Sequence, residues 1–205
     1  MRRTLVLFLL SGFLSMGAAI ARAENDVAAS IYGAFNGTTT GNGIQQSPAN
    51  SAGAMIELRH IRNPLIGYEA TYSFNRANEG YRFLVAPACP SPLCGATTAA
   101  VSANAHQLSG DWLVSFRLSN LRPFALAGVG VLFNQPVSGQ SSTSTSTKPV
   151  YIYGAGLDWG LLPHLGLRFQ YRGNLYKAPA ISTAFSSTGA FTRSAEPMIG
   201  AYFRF

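Results

Sequence analysis

The apolar residues of this chain recur at every second position, segment after segment, and that period restricts it to strands. In 165–175, Leu165, Leu167, Phe169, Tyr171 and Leu175 fall on one side of an extended backbone, and Gly166, Arg168, Gln170, Arg172 and Asn174 on the other. In 66–75, Ile66, Tyr68, Ala70, Tyr72 and Phe74 alternate with Gly67, Glu69, Thr71, Ser73 and Asn75. In 151–160, Tyr151, Tyr153, Ala155, Leu157 and Trp159 alternate with Ile152, Gly154, Gly156, Asp158 and Gly160. Successive side chains of a strand point to opposite faces, whereas a helix would scatter these sets around its circumference. Five more segments, 27–36, 53–61, 105–118, 123–134 and 196–205, carry the period at lower contrast. The expectation is all-β, with eight strands.

The links between these segments are of two kinds. His60-Ile61-Arg62-Asn63-Pro64, Ser119-Asn120-Leu121-Arg122 and Leu161-Leu162-Pro163-His164 are short. The other four are long and rich in Gly, Ser, Thr, Asn and Pro, one of them containing the low-complexity run 139–147. Long and short alternate strictly. An even number of antiparallel strands then puts both chain ends and all three short turns at one end of an up-and-down barrel, and the four long links at the other.

The N-terminus reads as a secretory signal over residues 1–23: Arg2 and Arg3, an apolar run from Leu5 to Ile20, then Ala21-Arg22-Ala23 ahead of Glu24. Its cleavage takes 23 of the 205 residues and leaves 182, one domain over 24–205. Three of the 15 basic residues leave with it, so the net charge falls from +7 to +4. The basic balance is therefore a weak argument for nucleic acid, and none is expected as a partner. No later stretch approaches the roughly 20 apolar residues that a spanning helix needs. With 21 Gly, 9 Tyr, 13 Phe and only 11% charged residues, the composition suits a β protein. Cys89 and Cys94, in Cys-Pro-Ser-Pro-Leu-Cys, suit a local disulfide pinning a loop in an oxidising compartment. Two thiols alone cannot complete a tetrahedral metal shell.

Period two also fits a soluble barrel, so the direction of the apolar face has to be argued. Its aromatics collect near strand ends: Phe35, Tyr72, Phe74, Phe133, Tyr151 and Tyr153 toward the long links, and Trp159, Phe203 and Phe205 toward the short turns. Two such girdles are what interfacial anchoring in a bilayer produces. The other face mixes glycine with ionisable residues, which suits the narrow interior of an eight-stranded barrel. The chain finishes Met198-Ile199-Gly200-Ala201-Tyr202-Phe203-Arg204-Phe205. This resembles the C-terminal assembly signal of outer-membrane barrels, polar-x-Gly-x-x-aromatic-x-Phe, through Gly200, Phe203 and Phe205, with Met198 departing at the polar position. The whole mature chain is similar to the OmpA/OmpX-type eight-stranded barrels. That resemblance implies a transmembrane β-barrel in the bacterial outer membrane, insertion by the barrel-assembly machinery and contact with outer-membrane lipid and lipopolysaccharide, as a monomer without cofactor. With no peptidoglycan-binding segment after the barrel, it is nearest the free-standing members.

Of the candidate sites, the inward charges Glu57, Arg59, Glu69, Asp111, Arg117, Asp158, Arg168, Arg172 and Arg204 read as paired filler of a closed lumen, since unpaired buried charge is costly. The competing reading makes the same pairs the gate of a pore. Register from the 161–164 turn places Asp158 opposite Arg168; register from the 62–64 turn places Glu57 opposite Glu69, with Arg59 a diagonal step away. Glu57 and Glu69 could also pass for a glycosidase pair, but no sugar cleft is indicated between them. His60, His106 and His164 accompany no Ser and Asp at a suggestive spacing, and the His-x-Ser-Asn hallmark of the lipid A deacylases is absent. Gly128-Val129-Gly130 and Gly154-Ala155-Gly156 lead into no helix, so they are strand glycines and not a nucleotide loop. Asn36-Gly37-Thr38 is a formal sequon that reads as the start of a loop. Arg76, Arg82, Lys148, Lys177 and Arg193 gather toward the long links, facing only Glu79, and are candidates for holding lipopolysaccharide phosphates. The expected role is non-enzymatic: envelope integrity or surface contact through the long loops. A small passive channel is the alternative, and a lipid A-modifying enzyme the third reading.

Overall fold

The computed structural model describes residues 24–62, 65–84 and 97–205. The signal segment 1–23 and the Cys89–Cys94 pair lie outside the described residues. The strands are β1 (Glu24–Asn36), β2 (Thr39–Gly41), β3 (Ile44–Pro48), β4 (Ser51–Ile61), β5 (Ile66–Phe83), β6 (Thr98–Ser115), β7 (Leu121–Pro136), β8 (Ser146–Gly160), β9 (Leu165–Lys177) and β10 (Phe191–Arg204). Eight of them, β1 and β4 to β10, pair antiparallel with their neighbours in chain order. β10 returns to pair with β1 from Asp26↔Arg204 to Asn36↔Ser194, which closes the barrel and leaves no edge. Phe205 completes the seam, its amide donating to the Asn25 carbonyl at 3.0 Å.

The period-two pattern sets the faces. On β9 Gly166, Arg168, Gln170, Arg172 and Asn174 are buried, while Leu165, Phe169, Tyr171 and Leu175 are exposed. The same inversion runs around the barrel: the large exposed residues include Ile31, Leu58, Tyr72, Trp112, Tyr153 and Phe203, and the interior holds Glu57, Glu69, Asp158 and Arg168. The apolar face meets the surroundings and the polar face fills the middle. Every aromatic of the two expected girdles, Phe35, Tyr72, Phe74, Phe133, Tyr151, Tyr153, Trp159, Phe203 and Phe205, is among the exposed residues. No helix of the described residues is long and apolar enough to cross a membrane.

At the short-turn end the connections are tight. Leu118 and Leu121 exchange backbone hydrogen bonds around Ser119-Asn120, with Ser119 at φ 56, and Leu162 and Leu165 do so around Pro163-His164. The strand expected to reach residue 118 ends at Ser115, before this turn.

At the other end the strands overshoot. A bilayer-crossing strand needs about 9–11 residues, whereas β5 and β6 each have 18. β2 and β3 form a hairpin on top of β4, with β3 pairing Ile44↔Phe83 to Pro48↔Glu79 along the upper part of β5. Its two-residue turn, Asn42 (φ 51) and Gly43 (φ 75), has the positive angles that a type I′ turn requires. The hairpin lies inside what the sequence presented as one long polar link. Above the rim, Ile44, Tyr81, Val101, Ala103, Ile181 and Phe185 bury one another in a second small core. Phe185 stacks on Phe83 at 4.6 Å between ring centroids, so the link 178–190 is folded down over the lumen.

Candidate functional site

Three guanidinium groups organise the lumen. Arg168, on β9, reaches Asp158 on β8 twice, Nε to Oδ1 at 2.7 Å and Nη2 to Oδ2 at 3.1 Å, as their direct opposition across the ladder allows. It also donates to Asp26 on β1 (2.9 Å) and Glu57 on β4 (3.3 Å). Arg59 joins Glu69 on the neighbouring strand through Nε at 2.8 Å and crosses the lumen to Asp158 at 3.0 Å. Arg172 donates to Glu69 (3.1 Å), to Asp111 (2.8 Å) and to the Ser109 hydroxyl (3.1 Å). The side chains of Arg59, Arg168 and Arg172 are wholly buried, so each pair stands in a low dielectric and leaving one partner alone would be costly.

Apolar pieces complete the packing. The Phe124 ring lies 4.2 Å under the Arg59 guanidinium, and Tyr202 lies 5.4 Å from that of Arg168. Room for them comes from glycine: a methyl group at Gly156 would collide with the Phe124 ring, and one at Gly128 with the Asp111 carboxylate. Below this layer, at the short-turn mouth, Glu24 receives Arg117 at 2.8 Å, is bonded by Arg122, and has Arg204 Nε at 3.5 Å. These bonds and nearby arginine charges hold the Glu24 carboxyl below the usual carboxylate range, although burial, the largest single influence, acts the other way. The lumen is thus crossed by two tiers of ion pairs, the lower open to solvent and the upper sealed. Among the described residues no group of three or more His, Cys, Asp or Glu is placed to hold a metal ion.

No family model and no curated protein matches the sequence. Solved structures do match it. Neisserial surface protein A (NspA) superposes with a TM-score of 0.61 at 16% identity, over 88% of this chain and 97% of the other. OprG, an outer-membrane protein of Pseudomonas aeruginosa, gives 0.60 at 10% identity over 90% and 97%. Ail, the attachment invasion locus protein of Yersinia pestis, whose structure was solved with the heparin analogue sucrose octasulfate, gives 0.52 at 18% identity over 90% and 99%. The fold is that of the small OmpA/OmpX-type outer-membrane barrels. At these identities the likeness is one of fold.

Within this outer-membrane barrel fold, the sequence-derived residues sort as follows. Glu57, Arg59, Glu69, Asp111, Asp158, Arg168 and Arg172 converge in the sealed tier. Arg117 and Arg204 stand apart from them, at the mouth around Glu24, and the Arg117 side chain is 46% exposed. Asp158 faces Arg168 as the turn dictates. Glu57 does not face Glu69: the register is shifted by two residues, so Arg59 opposes Glu69 and Glu57 opposes Thr71. The Arg62 amide donates to the Ile66 carbonyl at 3.0 Å, which widens the turn while keeping each side chain on its face. The shift replaces a facing pair of like charges with an ion pair.

Asp26, Glu24, Arg122 and Glu196 are lumen residues that the sequence reading left out. Asp26 and Arg122 each sit one residue beyond an inferred strand edge, on the lumen parity of that strand. Of the basic residues toward the long links, Arg76 and Arg82 project outward from β5, and Arg82 donates to Gln45 at 3.0 Å. Lys177 and Arg193 project outward as diagonal neighbours on β9 and β10, Lys177 lying 5.8 Å from the Phe191 ring centroid. Lys148 instead shares its face of β8 with the buried Ser146 and Val150. Gly200 packs against Ser30 inside the seam, while Phe203 and Phe205 point outward.

Proposed function

We propose that this chain is a non-enzymatic protein of the bacterial outer membrane, secreted with cleavage of residues 1–23, whose lumen is structural and whose activity lies in the long links and the outward rim. The observation that carries the reading is the sealed tier: three fully buried arginines join five carboxylates across the lumen, above a second tier at the mouth and below a folded cap. A lumen filled this way supports the barrel and offers no continuous path. The outward apolar band supports membrane residence. Gly200, Phe203 and Phe205 on the seam strand fit recognition by the barrel-assembly machinery, and the ion-paired lumen fits a monomeric unit.

The outward positions of Arg76, Arg82, Lys177 and Arg193, above the upper aromatics, support a rim that holds anionic groups. Lipopolysaccharide phosphates are the ligand at that depth, and charge-assisted hydrogen bonds are the means. Ail's complex with a sulfated sugar concerns a barrel of the same fold. The class is tested by expression and fractionation. A folded barrel recovers in the outer membrane and changes gel mobility on boiling; recovery in the soluble periplasm with no mobility shift rejects it. The rim is tested by neutralising the four cations together. Unchanged lipid A binding and unchanged thermal stability reject that part alone.

A further inference from the structure

The short-turn mouth gathers three guanidiniums around a single carboxylate: Arg117, Arg122 and Arg204 share Glu24. All three line an open depression of about 330 Å³ between the β6–β7 turn, the β8–β9 turn and the end of β10. Arg122 is only 5% exposed; its Nη2 bonds to Glu24, while Nε and Nη1 have no hydrogen-bond partner. Arg204 Nε, 3.5 Å from Glu24, makes no hydrogen bond either. Buried guanidinium N–H groups without acceptors are costly, and these residues line a space that can receive one.

The acceptor has to come from outside the chain. Arg122 faces Asp158 across the β7–β8 ladder, but that carboxylate is taken by Arg168 and Arg59. Asp26 is bonded by Arg168. The sealed tier, with five carboxylates to three arginines, offsets the charge of the mouth through space. Among the described residues it gives no hydrogen bond to Arg122 or Arg204. Water would satisfy the N–H groups without answering the local charge, whereas an oxyanion does both. A phosphate presents more acceptor oxygens than a carboxylate, and the guanidinium fork matches their spacing. The other wall of the depression is apolar: Leu121, Leu161 and Leu162 line it, and Leu162 is 64% exposed. A phosphate that carries a chain, as in a phospholipid headgroup, uses both walls.

We propose that the short-turn mouth binds one phosphate group through Arg117, Arg122 and Arg204, from a phospholipid headgroup or as the free ion. The lipid source rests on the membrane residence proposed above, which fractionation tests separately; the free-ion source does not. The site is tested on the whole barrel refolded in non-ionic micelles. Urea unfolding midpoints are compared in phosphate, acetate and chloride at equal ionic strength, and in chloride with short-chain phosphatidylglycerol added. The expected result is a midpoint higher in phosphate than in acetate or chloride, and a response to the phospholipid at lower concentration. At ten times its dissociation constant the ligand lowers the unfolding equilibrium constant about 11-fold. Arg122→Met abolishes the response. Arg117→Gln, at a half-exposed position that the fold tolerates, raises the concentration required about tenfold. Glu24→Gln, which removes the competing carboxylate, lowers it. A response to one of the two phosphate probes alone keeps the site and names its source. Equal midpoints in every condition, an acetate response equal to that of phosphate, or a response that survives both arginine variants overturns the assignment.

Discussion

Asp158 and Arg168 face one another across β8 and β9 and are joined twice, at 2.7 and 3.1 Å, in the buried middle of the barrel. Among the described residues, Arg168 is also the single guanidinium that touches Asp26 and Glu57. Arg168→Met removes this hub while keeping an unbranched apolar stem. Three carboxylates then lose their bonds to it, a loss of about 3–5 kcal/mol. Urea unfolding of the refolded barrel measures it. A loss below about 1 kcal/mol would show that the upper tier is not a stabilising network.

Glu24→Gln tests the lower tier in the same way. The Glu24 side chain is 21% exposed and Arg117 46%, so water screens these pairs and the expected loss is about 1 kcal/mol. The ratio of the two effects matters more than either value. Equal losses from Arg168→Met and Glu24→Gln would contradict the assignment of one tier as sealed and the other as open.

Glu79 lies where β5 stands above the rim, outside the bilayer-crossing part of the strand. Burial pushes its carboxyl up to about 7, against a smaller opposing pull from the Gln46 amide. A carboxyl raised in the folded state contributes stability that is fully present below its ordinary range and is lost as pH rises through about 7. The shift is worth about 3 kcal/mol. Amide hydrogen exchange of β3 and upper β5 should therefore quicken between about pH 5 and about pH 8, beyond its intrinsic base catalysis. Glu79→Gln should remove that excess. An excess unchanged in the variant rejects Glu79 as its source.

The cap is a separate packing unit. Ile181 is fully buried against Ile44, Tyr81 and Phe185. Ile181→Ala should destabilise the cap by about 2–5 kcal/mol and leave the barrel intact. Limited proteolysis would then cut within 178–190 faster, with the gel-mobility shift on boiling retained. Loss of the shift would mean that cap and barrel fold as one.

Much of this fold was legible because lipid and lumen demand opposite chemistry from alternate residues. Leu165 to Leu175 records that demand at every position, and Asp158 with Arg168 then follows from one tight turn. Where the demand stops, the pattern stops. Beyond Asn75 the chain runs Arg-Ala-Asn-Glu-Gly-Tyr-Arg-Phe, with nothing apolar on the outward side, yet β5 continues for eight residues because β6 pairs with it. The β2–β3 hairpin did leave a signal, Asn42-Gly43 between Thr39 and Ile44, inside a link that looked merely polar. Ile181 and Phe185 left none, since their partners are distant strands. Glu57 and Glu69 show the limit for register: a slip of two keeps every side chain on its face, so periodicity cannot detect it.

Planar-bilayer recording of the purified, refolded barrel tests the filled lumen most directly. The two tiers of ion pairs predict a quiet membrane, without steady single-channel steps, for the intact protein. Reproducible unitary conductance from the intact protein would contradict the account and make the same arginine–carboxylate pairs the lining of a pore.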